Sequence, residues 1–494
     1  MRIRVIDTGS GKKAIQVVSK RYGKLTVHRH IGTFENEAER KSLHEEASRY
    51  IERETGQSSL FNLRSAVRID EIEITQSKPL FVYEFLSNIY DKIGFNRHSD
   101  SLIKDLVIAR LYSPASKREV QEILQEQFNR EHSLKSIYRH LKKGIESGLK
   151  EDFQQALIQF AKTTLKDSLR LVFYDVTTLY FESIVRKGIR DLGFSKDHRP
   201  QETQIVVGLV VTPQGFPLYF DVFNGKTFEG HTFIPVIEEI QKRLGNSELV
   251  VVADSAMISR DNMEQLVQKN IGFIVGARVG NLSASIIDTI FQKLVAQDGH
   301  VISMTHQKHR LICEYSATRA SKDRSDREKQ TAKANLALSD PSRLKTRLKF
   351  VKTSGNSYSL NTKLLEKSKK LEGIKGYLTN TKLSDNEVIQ RYQNLWHIER
   401  AFRITKSDLK ARPIFHRLDE SINAHLVIVF AGLAISKFIE LETGLSIQKA
   451  LKIAQKVLTH TLTNPKTGEV AFISTSLRDP IAKAQIDMLR SLGH

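Results

Sequence analysis

The spacing of hydrophobic and polar residues changes along the chain, and each spacing predicts a different kind of element. Residues 1–34 contain short runs in which apolar and polar residues alternate, separated by the turn-rich sequences TGSGKK and RYGK, which predicts a small β segment. A charged helical stretch follows, and residues 80–166 have helical spacing with few clusters of β-branched residues. From residue 168 onward, apolar runs of strand length predict a sheet.

The apolar runs after residue 168 come in an order that predicts the fold. A buried strand (SLRLVFYDVTTLYF) precedes a hairpin (ETQIVVGLVV and PLYFDVF), a helix (HTFIPVIEEIQKRLG), a strand (SELVVVAD), a helix (DNMEQLVQKN) and a further strand (GFIVGARVG). This order predicts a mixed sheet with helices on both faces. We therefore predict an α/β fold of the ribonuclease H-like type.

The same changes of pattern predict the domain boundaries. After residue 280 a basic segment, which we interpret as rich in strands, interrupts the sheet before a long helix begins near Ser384. The predicted regions are a small β segment plus helix at 1–79, a helical region with a possible helix-turn-helix at 80–166, the first part of the core at 167–280, a basic β-rich insertion domain at 281–372, the second part of the core at 373–460 and a C-terminal helical tail at 461–494.

Composition adds a class of partner to this picture. Of the 494 residues, 40% are hydrophobic and 27% are charged, as in folded proteins, and 76 Lys and Arg against 56 Asp and Glu give a net charge of +20. Such an excess suits a polyanion, nucleic acid first. Residues 317–370 hold 15 basic and 5 acidic residues, and their RLKTRLKFVKT portion predicts a strand with one charged face. A solvated surface is the alternative interpretation.

Other features of the sequence exclude several classes of protein. The longest uncharged apolar run, 426–436, is too short to span a membrane, and the sequence MRIRVIDTGSGKK lacks the apolar core of a signal peptide. The single cysteine, Cys313, excludes a disulfide framework, and no Gly-rich loop ends in Gly-Lys-Ser/Thr. We expect a cytoplasmic protein with no membrane partner.

The segment REVQEILQEQFNREHSLKSIYRHLKKG has the pattern of a helix-turn-helix. An amphipathic helix and a short polar break precede Ser133, which is expected to cap a basic helix that carries Arg139, Lys142 and Lys143. Basic helices of this kind occur equally in helical bundles that do not bind DNA. DNA recognition and bundle packing therefore both remain open for this element.

Two acidic residues lie where a ribonuclease H-like sheet needs them. Asp175 is in the middle of the apolar strand LVFYDVTTLY, where an ionised carboxylate is costly unless it is paired or binds a metal. Asp254 ends the apolar run LVVVAD, at the carboxyl edge where ligands collect in such sheets. Each could instead cap a turn or a helix, but their joint placement favours two divalent metal ions acting on a phosphodiester.

A third acid is predicted from the long helix that the capping box Ser384-x-x-Glu387 opens and that Pro413 bounds. Steps of four and three residues place one buried seam on this helix, made of Val388, Tyr392, Leu395, Glu399, Phe402 and Lys406. A seam that only packed would be apolar throughout, so we expect Glu399 to be directed into the sheet. The alternative is a buried ion pair between Glu399 and Lys406.

The sequence around Glu399 resembles a known signature. YQNLWHIERAFRITK, from Tyr392 to Lys406, is similar to the Tyr-x2-Arg-x3-Glu-x6-Lys signature of DDE transposases from bacterial insertion sequences, in the group whose core is interrupted by a β-strand domain. YDVTTLYFES, VVADSAMISRDN, GFIVGAR and KGYLTN resemble the other core blocks, in the expected order. The resemblance covers residues 165–280 and 370–440. It implies that Asp175, Asp254 and Glu399 bind two Mg²⁺ ions, for which Mn²⁺ can substitute.

The resemblance also implies contacts with DNA. Tyr392 and Lys406 would contact a phosphate near the cleaved bond. The signature Arg falls on Leu395 in this chain, and Arg391 or Arg403 is expected to supply its charge. Trp396 packs in the core or stacks on a base, and Thr177 either contacts the phosphate or orients Asp175. The basic residues expected to bind DNA within the insertion are Arg343, Lys345, Arg347 and Lys349.

The predicted function is that of a DDE transposase that binds the inverted-repeat ends of its own element, cleaves phosphodiesters and joins the 3′-hydroxyl ends to target DNA. Two ends must be held together, so a homodimer is expected in the DNA complex. The protein would be bacterial, cytoplasmic and associated with the nucleoid. The alternatives are a structure-specific nuclease of the resolvase type and a non-catalytic DNA-binding protein derived from a transposase.

Overall fold

The computed structural model divides the chain into two compact units. One contains Met1–Lys78 and Val457–Ser476, and the other contains Pro79–Lys456 and Leu477–His494. The structure describes residues 1–9, 12–21, 24–55, 72–98, 100–245, 248–257, 259–340, 348–354, 357–465 and 467–493.

The first unit is built from two small antiparallel sheets and one helix. Its first sheet consists of β1 (Arg2–Asp7), β2 (Lys13–Arg21) and β3 (Lys24–Phe34), and α1 (Glu37–Thr55) packs on it. Ile15, Val17, Phe34 and Ala47 form the buried cluster between sheet and helix. The second sheet consists of β4 (Glu73–Lys78), β15 (Thr459–Thr463) and β16 (Val470–Ser474).

The C-terminal segment differs from the helical tail expected at 461–494. The strands β15 and β16 occupy its first part, and of its described residues only those of α16 (Pro480–Ser491) are helical. The sequences THTLT and VAFIS are short and rich in β-branched residues, and β15 pairs with β4 nearly 400 residues earlier, which no local pattern could predict.

The second unit begins with a helical region, as the spacing of residues 80–166 indicates. Ser116 and Ser133 cap two of its helices, each accepting a hydrogen bond from the backbone three residues later. The helices are α2 (Leu80–Ile93), α3 (Ser101–Tyr112), α4 (Lys117–Phe128), α5 (Leu134–Glu146) and α6 (Leu149–Thr163).

An eight-stranded mixed sheet forms the centre of the second unit. The members of its first part are β5 (Leu171–Tyr180), β6 (Gln204–Val211), β7 (Pro217–Asn224), α7 (Glu229–Leu244), β8 (Val250–Ala253), α8 (Arg260–Gln268) and β9 (Gly272–Ala277). β5, β6 and β7 are antiparallel neighbours, whereas β8 and β9 run parallel to β5. The chain therefore has a mixed α/β architecture, with strands and helices in the predicted order.

The segment predicted as a separate β-rich insertion contributes instead to this sheet and adds helices. After α9 (Ala284–Lys293), the strands β10 (Val301–His306) and β11 (His309–Tyr315) extend the sheet beyond β14 (Ile374–Thr379), in the order β10-β11-β14-β9-β8-β5-β6-β7. The rest of the segment consists of α10 (Ala317–Ser339), the hairpin β12 (Val351–Ser354) and β13 (Ser357–Leu360), and α11 (Thr362–Lys370).

The charged sequence SKDRSDREKQ thus lies in α10, a helix, and not in a strand. Ala, Lys, Arg, Glu and Gln make up more than half of α10, and these residues favour helix over strand. Within the helix, Ala320, Ala334 and Ala337 face inward. Three of the basic residues predicted to bind DNA, Arg343, Lys345 and Arg347, lie outside the described residues.

The last part of the core packs helices against the sheet and the helical region. These helices are α12 (Asp385–Gln393), α13 (Trp396–Arg403), α14 (Asp419–Thr443) and α15 (Ile447–Ala454). α14 contacts α3, α5, α6 and β7, and its Phe430 stacks on Phe220 at 4.2 Å between ring centroids. Among the described helices, α14 alone passes a length and composition test for a membrane span, but 94% of its most apolar window is buried in the protein.

Candidate active site

Asp175 and Asp254 lie side by side at one edge of the sheet. The parallel strands β5 and β8 pair Tyr174 with Ala253, so the next residue on each strand is one of the two aspartates. The Asp175 side chain is 19% exposed, whereas Asp254 follows the end of β8 and is exposed. The register of the two parallel strands therefore places both carboxylates at the same level, one on β5 and one directly after β8.

The electrostatics of this edge favour a cation. The pKa of Asp175 is raised to about 6, mainly by burial; Lys196 and the backbone N–H of Val176 oppose the rise, and the carboxylates of Glu229 and Asp254 add to it. A carboxylate that is buried among other carboxylates is more easily ionised when a positive charge lies beside it.

The helix predicted from Ser384 to Pro413 begins as expected but is not continuous. Ser384 and Glu387 form the capping box in both directions. The chain then tightens after Tyr392, where Leu395 N–H donates to the Tyr392 carbonyl and Ile398 N–H donates to the Leu395 carbonyl. These bonds span three residues instead of four, and they separate α12 from α13. A π-helical turn at Ile404–Asp408 follows.

The break corrects the single seam expected along this helix. A three-residue turn advances each residue by about 120° instead of about 100°, so later side chains rotate away from the buried line. Tyr392 is 9% exposed and Phe402 6%, but Glu399 is exposed. α12 packs against β8, β9 and β14, and α13 packs against β5 and β6.

Tyr392 is the side chain that links the helix to the aspartates. Its hydroxyl donates a hydrogen bond to Asp254 Oδ1 at 3.2 Å. Burial raises its pKa, and the charges of Asp254, Glu399 and Asp175 raise it further, so all three predicted acids act on this one hydroxyl. Gly276 on β9 makes room for the ring, because a Cβ there would lie 2.5 Å from the hydroxyl oxygen.

Lys406, predicted to contact a DNA phosphate, is paired with a carboxylate in this structure. Its Nζ lies 3.3 Å from Asp197 Oδ1, and Arg412 Nη1 lies 2.8 Å from the same atom. Asp197 is 9% exposed and the Lys406 side chain 13% exposed. The alternative of a buried pair between Glu399 and Lys406 does not form, and Lys406 and Arg412 together hold one anionic group.

Lys196, the residue before Asp197, contacts acidic side chains instead of basic ones. Lys196 Nζ lies 3.0 Å from Glu229 Oε1 and 4.0 Å from Asp175 Oδ1, and it donates to the carbonyl of Val176 at 2.5 Å. Lys196 and Asp197 belong to the connection between β5 and β6, residues 181–203, which we call the β5–β6 loop. Two adjacent residues of this loop therefore neutralise an acidic group and a basic group at the same site.

The other residues predicted to contact DNA are spread around this edge. Thr177 follows Asp175 on the same face of β5 and is 5% exposed, and Trp396 is 45% exposed with its ring stacked on His397 at 3.8 Å. Neither Arg391, partly buried near Glu387, nor Arg403, exposed near Asp408, has a described contact with the acids. Lys349 is exposed beside Phe350.

The donor set suits a hard divalent cation, although it is not gathered around one point. Asp175, Asp254 and Glu399 offer carboxylate oxygens, which Mg²⁺ and Mn²⁺ prefer. In the part of the chain that the structure describes, no three acidic, His or Cys side chains lie close enough to hold one ion together. The two aspartates offer carboxylate oxygens from neighbouring strands, and the exposed Glu399 would have to turn toward them.

The comparison with known families covers this whole site. A model described as the transposase DDE domain matches residues 167–435, more than half of the chain, from before Asp175 to beyond Lys406. The chain belongs to the DDE transposase domain family. No curated protein matches this transposase chain. A cryo-EM structure of the piggyBac transposase synaptic complex with hairpin DNA is similar at a TM-score of 0.39 and 11% identity, covering 84% of this chain and 79% of that one.

Sequence reasoning did not find four residues of this site: Lys196, Asp197, Glu229 and Arg412. The first two lie in a loop without periodic spacing, and Glu229 opens α7 where an acidic residue ordinarily serves the helix dipole. The only available signal was Asp175 itself, because a buried carboxylate requires a partner and no basic residue of the chain was predicted to pair with it.

Proposed function

We propose that this transposase-family protein binds the ends of its own mobile element, cleaves phosphodiesters there and transfers the 3′-hydroxyl ends to target DNA. The observation that carries the proposal is the placement of Asp175 and Asp254 on neighbouring strands, with Asp254 accepting a hydrogen bond from Tyr392, within the matched family domain. Asp254 and Glu399 are exposed, so a DNA strand could reach them.

Each residue has a role in this proposal. Two divalent ions, when bound, activate the attacking water or hydroxyl and stabilise the leaving oxygen. Asp175, Asp254 and Glu399 would hold those ions. Lys406 and Arg412 would hold a phosphate in the position that Asp197 takes in this structure, since a carboxylate and a phosphate both accept hydrogen bonds from such a pair.

The β5–β6 loop would then leave the site when ligands enter. Lys196 stands where a cation would neutralise Asp175, and Asp197 stands where a phosphate would neutralise Lys406. Arg412 would also take the role of the signature Arg, whose position holds Leu395 in this chain. It supplies a second positive charge beside Lys406, which neither Arg391 nor Arg403 does.

Surfaces beyond the site would position the DNA. Arg139 and Lys143 are exposed on α5, and Lys349 is exposed in the basic segment. Phosphate contacts of this kind set affinity and orientation without reading sequence. We further propose that two copies act together on the paired ends and that the protein works at the nucleoid in the cytoplasm.

The test is Mg²⁺-dependent cleavage of a duplex that carries the element end. Glu399→Gln removes a proposed metal ligand and keeps its size, so cleavage should fall by roughly a hundredfold or more, since even residues behind the ligands cost up to that amount. Glu442→Gln, an exposed change on α14, is the matched control. Unchanged cleavage in Glu399→Gln would remove this residue from the site.

The same assay distinguishes the two enzyme classes. A substrate that ends in a free 3′-hydroxyl at the element end should give joined products with target DNA. A resolvase-type nuclease cuts but joins nothing, and a protein that only binds DNA does neither.

A further inference from the structure

Four basic side chains meet in the helical part of the second unit. Arg110, near the end of α3, and Lys117, the first residue of α4, are each 6% exposed, and His425 of α14 is 4% exposed. His416, in the segment before α14, is partly buried, with its ring 5.4 Å from that of His425. We call these four residues the basic cluster.

The basic cluster has no acidic counterpart. Among the described residues, no carboxylate lies within 4.0 Å of Arg110 or Lys117, and neither side chain has a hydrogen-bond partner or an aromatic ring beneath it. The Nε of Arg110 and the Nδ1 of His425 are buried nitrogens without any partner. Buried polar groups in folded proteins are nearly always satisfied, and buried charges are nearly always paired.

The members of the basic cluster also suppress one another's charge. Burial lowers the pKa of Lys117 to about 7, with repulsion from Arg110 adding to the effect. Burial, Lys117 and Arg110 lower the pKa of His416 to about 4, and burial and the same neighbours lower that of His425. An anion bound among these side chains would favour their charged forms and so raise their pKa values.

We propose that the basic cluster binds a phosphate group. Arg110 offers a planar fork of donors that matches two phosphate oxygens, and Lys117 offers a point charge at the N-terminal end of α4, where the helix dipole favours an anion. The unpartnered Nδ1 of His425 can donate a further hydrogen bond when it carries the proton. His416 is the partly exposed member of the basic cluster.

The phosphate could come from DNA or from solution, and both sources present the same tetrahedral oxyanion. The probe is therefore inorganic phosphate, titrated calorimetrically into the full-length protein against chloride at equal ionic strength. We expect saturable binding of phosphate. Lys117→Met should weaken it by roughly tenfold or more, because a hydrogen bond to a charged group contributes at least that factor.

Lys143→Met is the matched control, since it removes the same charge from an exposed position on α5 and should leave phosphate affinity unchanged. Arg110→Met provides a second variant if Lys117→Met does not fold. Absence of saturable phosphate binding to the wild type, or unchanged affinity in both cluster variants, would overturn the proposal.

A second titration identifies the source of the group. If phosphate no longer binds once the protein is saturated with end-bearing duplex, the basic cluster holds a phosphate of the DNA. If the affinity is the same with and without duplex, it holds a free anion. Either result supports the site, and neither depends on cleavage or on bound metal.

Discussion

Charge is buried in two regions of the second unit, and the two differ in how it is neutralised. At the active site, Lys196 lies against Asp175 and Glu229, and Asp197 lies between Lys406 and Arg412. In the basic cluster, by contrast, positive groups face one another without any described carboxylate. A site that is neutral within the chain needs no external ion to balance its charges, whereas a site of unpaired buried basic groups would be stabilised by an anion from outside.

The difference also separates two ways of preparing a surface for phosphate. The β5–β6 loop supplies an internal substitute for each ligand, so binding exchanges one set of ion pairs for another and the net gain is small. The basic cluster has no substitute, so an arriving anion gains the full interaction. The active site therefore favours reversible exchange of its ligands, and the basic cluster favours retention of a bound anion.

The largest expected effect comes from removing the shared carboxylate at the active site. Asp197→Asn leaves the buried Lys406 and the partly exposed Arg412 without a counter-charge, which should lower the free energy of unfolding by about 2–3 kcal/mol, somewhat less than for a fully buried pair. The midpoint of urea unfolding measures this change. Asp487→Asn, in a surface pair in which both side chains are 54% exposed, is the control and should change it by less than about 1 kcal/mol.

If both variants unfold at the same midpoint, the pairs around Asp197 contribute no more than a surface pair. The proposed self-neutralisation of the active site would then be wrong. DNA binding gives an independent check, because freeing Lys406 from Asp197 should strengthen it in the variant that still folds.

In the basic cluster, by contrast, we expect removal of a charge to raise the free energy of unfolding. In phosphate-free buffer, Lys117→Met replaces an unpaired buried ammonium with an apolar side chain of similar length, and this should raise the free energy of unfolding by about 1 kcal/mol or more. Lys143→Met should leave it unchanged. A loss of stability in Lys117→Met would show that the ammonium has a favourable partner.

The pH dependence of the same variant sharpens this test. The pKa of Lys117 is lowered to about 7, so between pH 7 and 9 the unfolded chain binds a proton there that the folded chain has released. Stability therefore rises with pH, and the wild type should gain about 1 kcal/mol per pH unit relative to Lys117→Met in this window. Arg110, His416 and His425, which face Lys117, are present in both proteins, so their own contributions to the pH dependence largely cancel in the difference. If the difference in the free energy of unfolding between the wild type and Lys117→Met does not change with pH, the pKa of Lys117 is not lowered.

How far the sequence predicts this molecule depends on the distance over which each signal acts. Ser133 and Ser384 cap their helices as predicted, because a cap depends on three or four consecutive residues. The order of strands from β5 to β9 also follows from local apolar runs. The prediction of a single helix through Glu399 was wrong, since hydrophobic spacing does not report a turn with three-residue hydrogen bonds.

Both buried charge regions depend on tertiary contacts that no local pattern contains. Lys117 and His425 are about 300 residues apart in the chain, and Asp197 and Lys406 are separated by 209 positions. In the sequence, Lys117 is an ordinary first residue of a charged helix, and Asp197 is an ordinary loop acid. Sequence patterns predicted which strand carries Asp175 but could not predict the residues that balance its charge.

The smallest expected effect concerns Arg412, the active-site cation that the signature did not supply. If Arg412 holds a DNA phosphate together with Lys406, Arg412→Gln should reduce the slope of log affinity against log salt by about 1, uniformly across DNA sequences. Arg417→Gln, an exposed neighbour outside the Asp197 contact, is the control. An equal reduction in both variants would place Arg412 among general surface charges, and no reduction would leave Lys406 as the only phosphate-binding member of the pair. A reduction confined to Arg412→Gln would mean that Asp197 and DNA compete for the same two cations.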